Sequence, residues 1–173
     1  MINENQLVEV FRATRHDWLN QLQLIKANLA LNRLDRIDEI IHQIVEEAQQ
    51  ESNLSNLKAG QLTAFLLLHK SLNNDYPLKI EVEPLTLDLS KEDEAITQSL
   101  ETLITTIKTL IPSIPILISI YKDDHEVCLS LQLSLGEPLD IGALQQTAAS
   151  LTMPFDVFQD EEAIYFTMNL HTL

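Results

Sequence analysis

From Ile2 to Ala59 the chain contains neither glycine nor proline. A run that long without a helix breaker admits little besides extended helix, because Gly and Pro are the residues that end helices and shape tight connections. The apolar spacing agrees. Leu7, Phe11, Thr14, Trp18, Leu22, Ile25 and Leu29 follow at intervals of 4, 3, 4, 4, 3 and 4, the seam of an amphipathic helix that packs on other helices. A second stripe, Leu34, Ile37, Ile41, Ile44 and Ala48, steps by 3, 4, 3 and 4. Between the two, Leu31-Asn32-Arg33 leaves room only for a tight connection. The spacing therefore predicts a first helix over about residues 2–31 and an antiparallel second one. Two helices alone leave much of both seams in water. Pairing two hairpins about a two-fold axis buries them, so residues 1–52 are expected to form a dimeric four-helix bundle.

Beyond the hairpin the pattern changes. Residues 53–60 read as a linker, with Gly60 as a hinge, and residues 61–173 as a second domain. There Gln61–Leu72 predicts a short apolar helix, and Leu78–Val82 and Leu85–Leu89 predict strands. Ser90 stands as an N-cap before Glu92-Asp93-Glu94, opening a helix that Pro112 stops at about Ile111. Ile116–Tyr121 and Val127–Leu135 predict a hairpin across Lys122-Asp123-Asp124-His125, the second strand alternating apolar and polar residues from Val127. A helix near 140–150 and a last hairpin, Phe155–Phe158 with Ile164–Leu170, complete the expectation. The fold class is α+β: an N-terminal helical hairpin followed by an α/β sandwich with mostly antiparallel strands.

Charge separates the same two parts. Residues 1–36 carry five basic against four acidic side chains, whereas residues 61–173 carry five Lys against 17 acids. With a net charge of -15 over 173 residues, nucleic acid and anionic membrane are poor partners. Three glycines in the whole chain leave no material for a Gly-rich phosphate loop. A single cysteine, no apolar signal core and no apolar run approaching ~20 residues point to a cytoplasmic, soluble chain.

The segment with chemical potential is Arg15-His16-Asp17-Trp18-Leu19-Asn20. At about 100° per residue the seam lies roughly 160–240° away from His16, so the imidazole faces solvent. Its neighbours on that outer face are Arg12, Leu19, Asn20, Gln23 and Ala27, short or polar around an apolar Leu19: a docking surface. A solvent-facing histidine is a nucleophile suited to phosphoryl transfer from an acyl phosphate. Asp17 can accept a hydrogen bond from one ring nitrogen and fix the tautomer, leaving the other free to attack. Arg12 or Arg15 can offset charge on the transferring group. The remaining histidines read differently: His69 shares an apolar stripe and reads as a packed or boundary histidine, while His42, His125 and His171 receive no role. Cys128, alternating with the apolar face of its strand and lacking a basic neighbour, reads as inert, and no zinc-ligand spacing occurs.

The HDxxN string on the first helix of a hairpin resembles the dimerisation and phosphotransfer domain of two-component histidine kinases. The longer string RHDWLNQLQLIKANLALNRLDRIDEII, residues 15–41, resembles the sporulation initiation phosphotransferase B family of endospore-forming bacteria. That resemblance implies a dimeric bundle whose phosphorylated histidine maps to His16. It also implies relay of phosphate from the aspartate of a single-domain receiver to that of a second, DNA-binding response regulator, in sporulation initiation. It implies further a C-terminal domain like a degenerate histidine-kinase ATP-binding domain. The residues agree with the loss of ATP binding: Glu92–Ile111 contains no Asn to hold Mg²⁺, and only Gly136 and Gly142 follow it. No cofactor is expected on this chain, and Mg²⁺ would come with the receiver. The rival reading is a non-catalytic dimeric adaptor that docks or sequesters receivers.

Overall fold

The computed structural model describes residues 4–73, 75–124, 126–135 and 140–172. His125 and Gly136 lie outside the described residues, and Leu7 and His171 outside the described side chains. The chain divides into two compact units, Met1–Glu51 and Ser52–Leu173.

The first unit is helical. Helix α1 spans Glu4–Ala30 and α2 spans Leu34–Asn56, so α2 continues into the segment read as a linker. The turn between them is a Schellman motif. Asn32 takes the left-handed conformation at φ 53°, the Arg33 amide donates to the Asn28 carbonyl and the Asn32 amide to that of Leu29. Asparagine tolerates that conformation better than most residues, and the two bonds satisfy carbonyls left over at the end of α1. In this unit the half-covered positions are Val10, Ala13, Gln21, Ile25 and Asn28 on α1 and Ile37, Ile40, Ile44, Glu47, Gln50 and Glu51 on α2. Much of each seam is wet: Ile25, Ile37 and Ile44 are half-covered, but Phe11 is 65% exposed, Trp18 54%, Leu22 55% and Leu34 60%.

The second unit carries the hydrophobic core. Its elements are α3 (Gly60–Leu72), β1 (Leu78–Val82), α4 (Asp93–Leu110), β2 (Ile116–Asp123), β3 (Glu126–Ser134), α5 (Gly142–Ser150), β4 (Asp156–Gln159) and β5 (Ala163–Thr172). One five-stranded sheet has the order β1-β2-β3-β5-β4. Only β1 with β2 is parallel, and α4 is the crossover that a parallel pair requires. Register aligns the alternating residues into rows, Leu78–Ile116–Leu133–Ile164 and Ile80–Ile118–Leu131–Phe166, all buried. They form one core with Leu62 and Leu66 of α3, the α4 stripe Ile96, Leu100, Leu103 and Ile107, and Leu144 of α5. The other face of the sheet holds Lys79, Leu117, Gln132 and Tyr165, all half-buried or exposed.

Two local expectations are corrected. Leu85–Leu89 is not a strand. Leu87 and Leu89 are buried in alternation, but the backbone is tied by the Leu89 amide to the Leu57 carbonyl rather than by a ladder. Ser90 does not cap α4: its amide donates to the Asp88 carboxylate, and Glu92 precedes the helix without a side-chain cap. Cys128 is buried at 4% exposure, at a point where the β3–β5 register shifts.

Candidate functional site

Twenty-seven residues of uninterrupted helix give α1 a rigid frame for His16, about three turns from where the described helix starts. The side chain of His16 is 71% exposed and that of Asp17 is 70% exposed. Two neighbours converge on one ring nitrogen. Asp17 Oδ1 lies 3.3 Å from His16 Nδ1, and Asn20 Nδ2, one helical turn on, lies 3.2 Å from the same atom. Nε2 has no hydrogen-bond partner among the described residues. The anticipated Asp17 contact is present, and it leaves the opposite nitrogen open. The Asn20 contact goes beyond the docking role that the helical projection assigns to this residue. Its i, i+4 spacing from His16 was the available signal.

The two arginines are placed differently. Arg12 pairs with Glu9 at 2.7 Å, an exposed i, i+3 bridge, and does not touch the ring. Arg15 forms no ion pair among the described residues. Arg12, Leu19, Asn20, Gln23 and Ala27 are all exposed, with Leu19 at 53%. Elsewhere on the hairpin His42 sits 3.6 Å from Asp38, with both side chains largely in solvent.

In the second unit, His69 is packed as expected, at 5% exposure, beside the Phe65 ring. Its Nε2 is buried with no hydrogen-bond partner among the described residues. Burial, and secondarily the Lys108 ammonium, lower its pKa to about 4. The Cys128 thiol lies 3.3 Å from Asn169 Oδ1, and burial first, then Asp123 and Glu126, push its pKa up, which disfavours a reactive thiolate. Asp93, which opens α4, turns both carboxylate oxygens to the first amides of α3, accepting from Gln61 and Leu62 at 2.9 Å each. Its work is structural. Among the described residues no cluster of three His, Cys, Asp or Glu side chains is placed to hold a metal ion. No described helix is long and apolar enough to cross a membrane.

Comparison with known proteins bears on the hairpin. Residues 1–57 match the family model described as Sensor_kinase_SpoOB-type, alpha-helical domain. The chain is 41% identical over 90 residues to the sporulation initiation phosphotransferase B of Bacillus subtilis (strain 168). That match takes in 52% of this chain and 47% of the relative, so the chain spans about half the length of the curated relative it matches. Among solved structures, the Acinetobacter baumannii histidine kinase AdeS aligns at 12% identity with a TM-score of 0.47, covering 91% of this chain and 98% of AdeS. The catalytic domain of histidine kinase ThkA aligns at 16% identity and a TM-score of 0.47, covering 69% of this chain and 92% of that one. The likeness read from the HDWLN segment is thus shown over residues 1–57, where the chain matches the SpoOB-type α-helical domain of sensor kinases.

Proposed function

We propose that the protein is a phosphorelay phosphotransferase of two-component signalling, with His16 as its phosphorylated nucleophile. The observation that carries the reading is an exposed imidazole on the matched helix whose Nδ1 is engaged and whose Nε2 is open. A single-domain receiver bearing an aspartyl phosphate docks on Arg12, Leu19, Asn20, Gln23 and Ala27. The Nε2 lone pair attacks phosphorus, and the P–O bond breaks, its electron pair leaving on the receiver carboxylate. The aspartate of a second receiver, attached to a DNA-binding regulator of sporulation initiation, then attacks the phosphorus. The N–P bond breaks and its pair returns to Nε2. During attack and release Asp17 accepts the hydrogen bond of the Nδ1 proton, and Arg15, free of an internal ion pair among the described residues, offsets charge on the phosphoryl oxygens. Mg²⁺ arrives with the receiver, and the exchange takes place in the cytoplasm.

The wet seams support a second copy as the first partner. Projected at about 100° per residue, Phe11, Trp18, Leu22 and Leu29 fall beside the half-covered stripe of α1. Leu34, Ile41, Val45 and Ala48 fall beside that of α2 in the same way. Neither run lies on the His16 face, so a dimeric bundle would close both while leaving two phosphorylatable sites in solvent. The helix Asp93–Leu110 has no Asn, which supports charging by another protein rather than by ATP.

The test is transfer from a phosphorylated single-domain receiver, followed as acid-labile label, in wild type and His16→Ala with an ATP-only control. Label on wild type alone, and none from ATP alone, is the expected result. Receiver binding without label on either protein overturns the relay and leaves an adaptor.

A further inference from the structure

We infer that Asn20 is a positioning residue that selects the tautomer of His16 and protects its phosphorylated form, an inference that rests on His16 being the phosphoacceptor. A carboxylate only accepts hydrogen bonds, and a side-chain amide nitrogen only donates them. Both kinds of group stand within 3.3 Å of the same atom, His16 Nδ1. One nitrogen satisfies one of them at a time. When Nδ1 carries a proton it donates to Asp17, and when it is bare it accepts from Asn20. The two contacts therefore hold opposite protonation states of a single atom.

The consequence differs before and after phosphorylation. In the neutral ring, the tautomer held by Asp17 puts the lone pair on Nε2, the reactive nitrogen. The tautomer held by Asn20 puts a proton there and blocks attack. Once Nε2 has displaced the receiver carboxylate from phosphorus, the ring is a phosphoimidazolium with its proton on Nδ1. It is activated, because cleavage of the N–P bond releases a neutral imidazole. If that proton passes to water, cleavage would have to release an imidazolide anion and transfer slows. The bare Nδ1 is then the acceptor that Asn20 matches. Asp17 thus keeps the phosphoryl group mobile and Asn20 keeps it in store. Both groups sit within one turn of α1, so the device works without a partner, in the interval between one receiver leaving and the next docking. Their exposure keeps the effect modest, about threefold for one solvent-competed hydrogen bond.

The experiment uses the full chain with ¹⁵N-labelled histidine, at one alkaline pH where the ring is neutral. Ring ¹⁵N shifts report the tautomer ratio, and circular dichroism checks the helix. Asn20→Ala is expected to move His16 about threefold toward the Nδ1–H tautomer, and Asp17→Asn to move it the other way. In a second arm phosphoramidate charges the protein, with His16→Ala as the baseline for other histidines, and ³¹P spectra follow loss of phosphohistidine. The lifetime in Asn20→Ala is expected to fall about threefold. An unchanged tautomer ratio, or an unchanged or longer lifetime, overturns the inference even if receivers deliver phosphate normally. The converse pattern, shifted tautomers with no label accepted from any receiver, sinks the relay and leaves the ring chemistry standing.

Discussion

Two regions of this chain spend similar side chains in opposite ways. On the hairpin, Phe11, Trp18, Leu22, Leu29, Ile41 and Val45 stand in water. In the second unit Leu100, Leu103, Leu131 and Phe166 are fully buried. One helix shows both behaviours: α2 exposes Ile41 and Val45 and, less than three turns later, buries Asn53 and Leu54. An amphipathic stripe records that something covers it and not what. For residues beyond Ser52 the cover is the chain's own sheet. For the hairpin we take it to be a second copy, since leaving those seams wet forgoes on the order of 10 kcal/mol per copy.

The comparison breaks first at the seam. Trp18→Asp with Leu22→Asp is expected to dissociate the protein, so that its solution mass falls from a dimer's to the 19.7 kDa of one chain. Helix content should drop while the second unit keeps its unfolding midpoint. Light scattering on the wild type is the decisive control: a dilute sample already running as one chain would end the argument for a bundle.

A cut into the other region should do the reverse. Phe166→Ala empties a fully buried site between Leu131 and Val157 and is expected to cost about 3–5 kcal/mol in urea unfolding of the second unit. Dimer mass and, at temperatures where the unit remains folded, transfer through His16 should be unaltered. Loss of the dimer on this substitution would show that the regions are not separable.

The smallest effect concerns the packed histidine. His69 keeps a pKa of about 4 in the fold against 6.5 when exposed, because burial and then Lys108 oppose its charge. Between those values the unfolded chain binds more protons than the native one, so stability is complete above pH ~6.5 and falls as pH drops toward 4. The full drop is on the order of 3 kcal/mol. Urea titrations at several pH values, on wild type and His69→Leu, should show this slope in the first and not in the second. Equal slopes would remove His69 from the account.

Most of the helical region was legible because helices are local. The absence of Gly and Pro, the stripes and the three-residue connection describe α1 and α2 without reference to anything distant, and they place His16 opposite the seam. The strand pairs around Lys122 and between Phe158 and Ile164 were also readable, since a hairpin is nearly local. What escaped depended on distant residues. Leu85–Leu89 alternates as a strand does, yet no described strand pairs with it. Asp93 sits in the first turn of α4, where an acid serves that helix's own dipole, but its carboxylate closes the amides of α3 instead. Cys128 falls on the polar phase of β3 yet is buried, beside the register shift at Val127 and within 3.3 Å of Asn169 Oδ1.

By itself, then, the sequence determined that this chain begins with two long amphipathic helices, that His16 projects away from their seam, and that an α/β unit with a strongly acidic surface follows. Those are consequences of periodicity, breakers and charge, each carried within a few residues. Only the tertiary structure decided that β1 lies parallel to β2 at the sheet edge, which α3 amides Asp93 would satisfy, and that two side chains of opposite hydrogen-bonding character meet on one nitrogen of His16. Pairing order and donor–acceptor geometry are set by atoms brought together in space, and a sequence pattern carries the spacing of residues along the chain without the direction in which each side chain finally bonds.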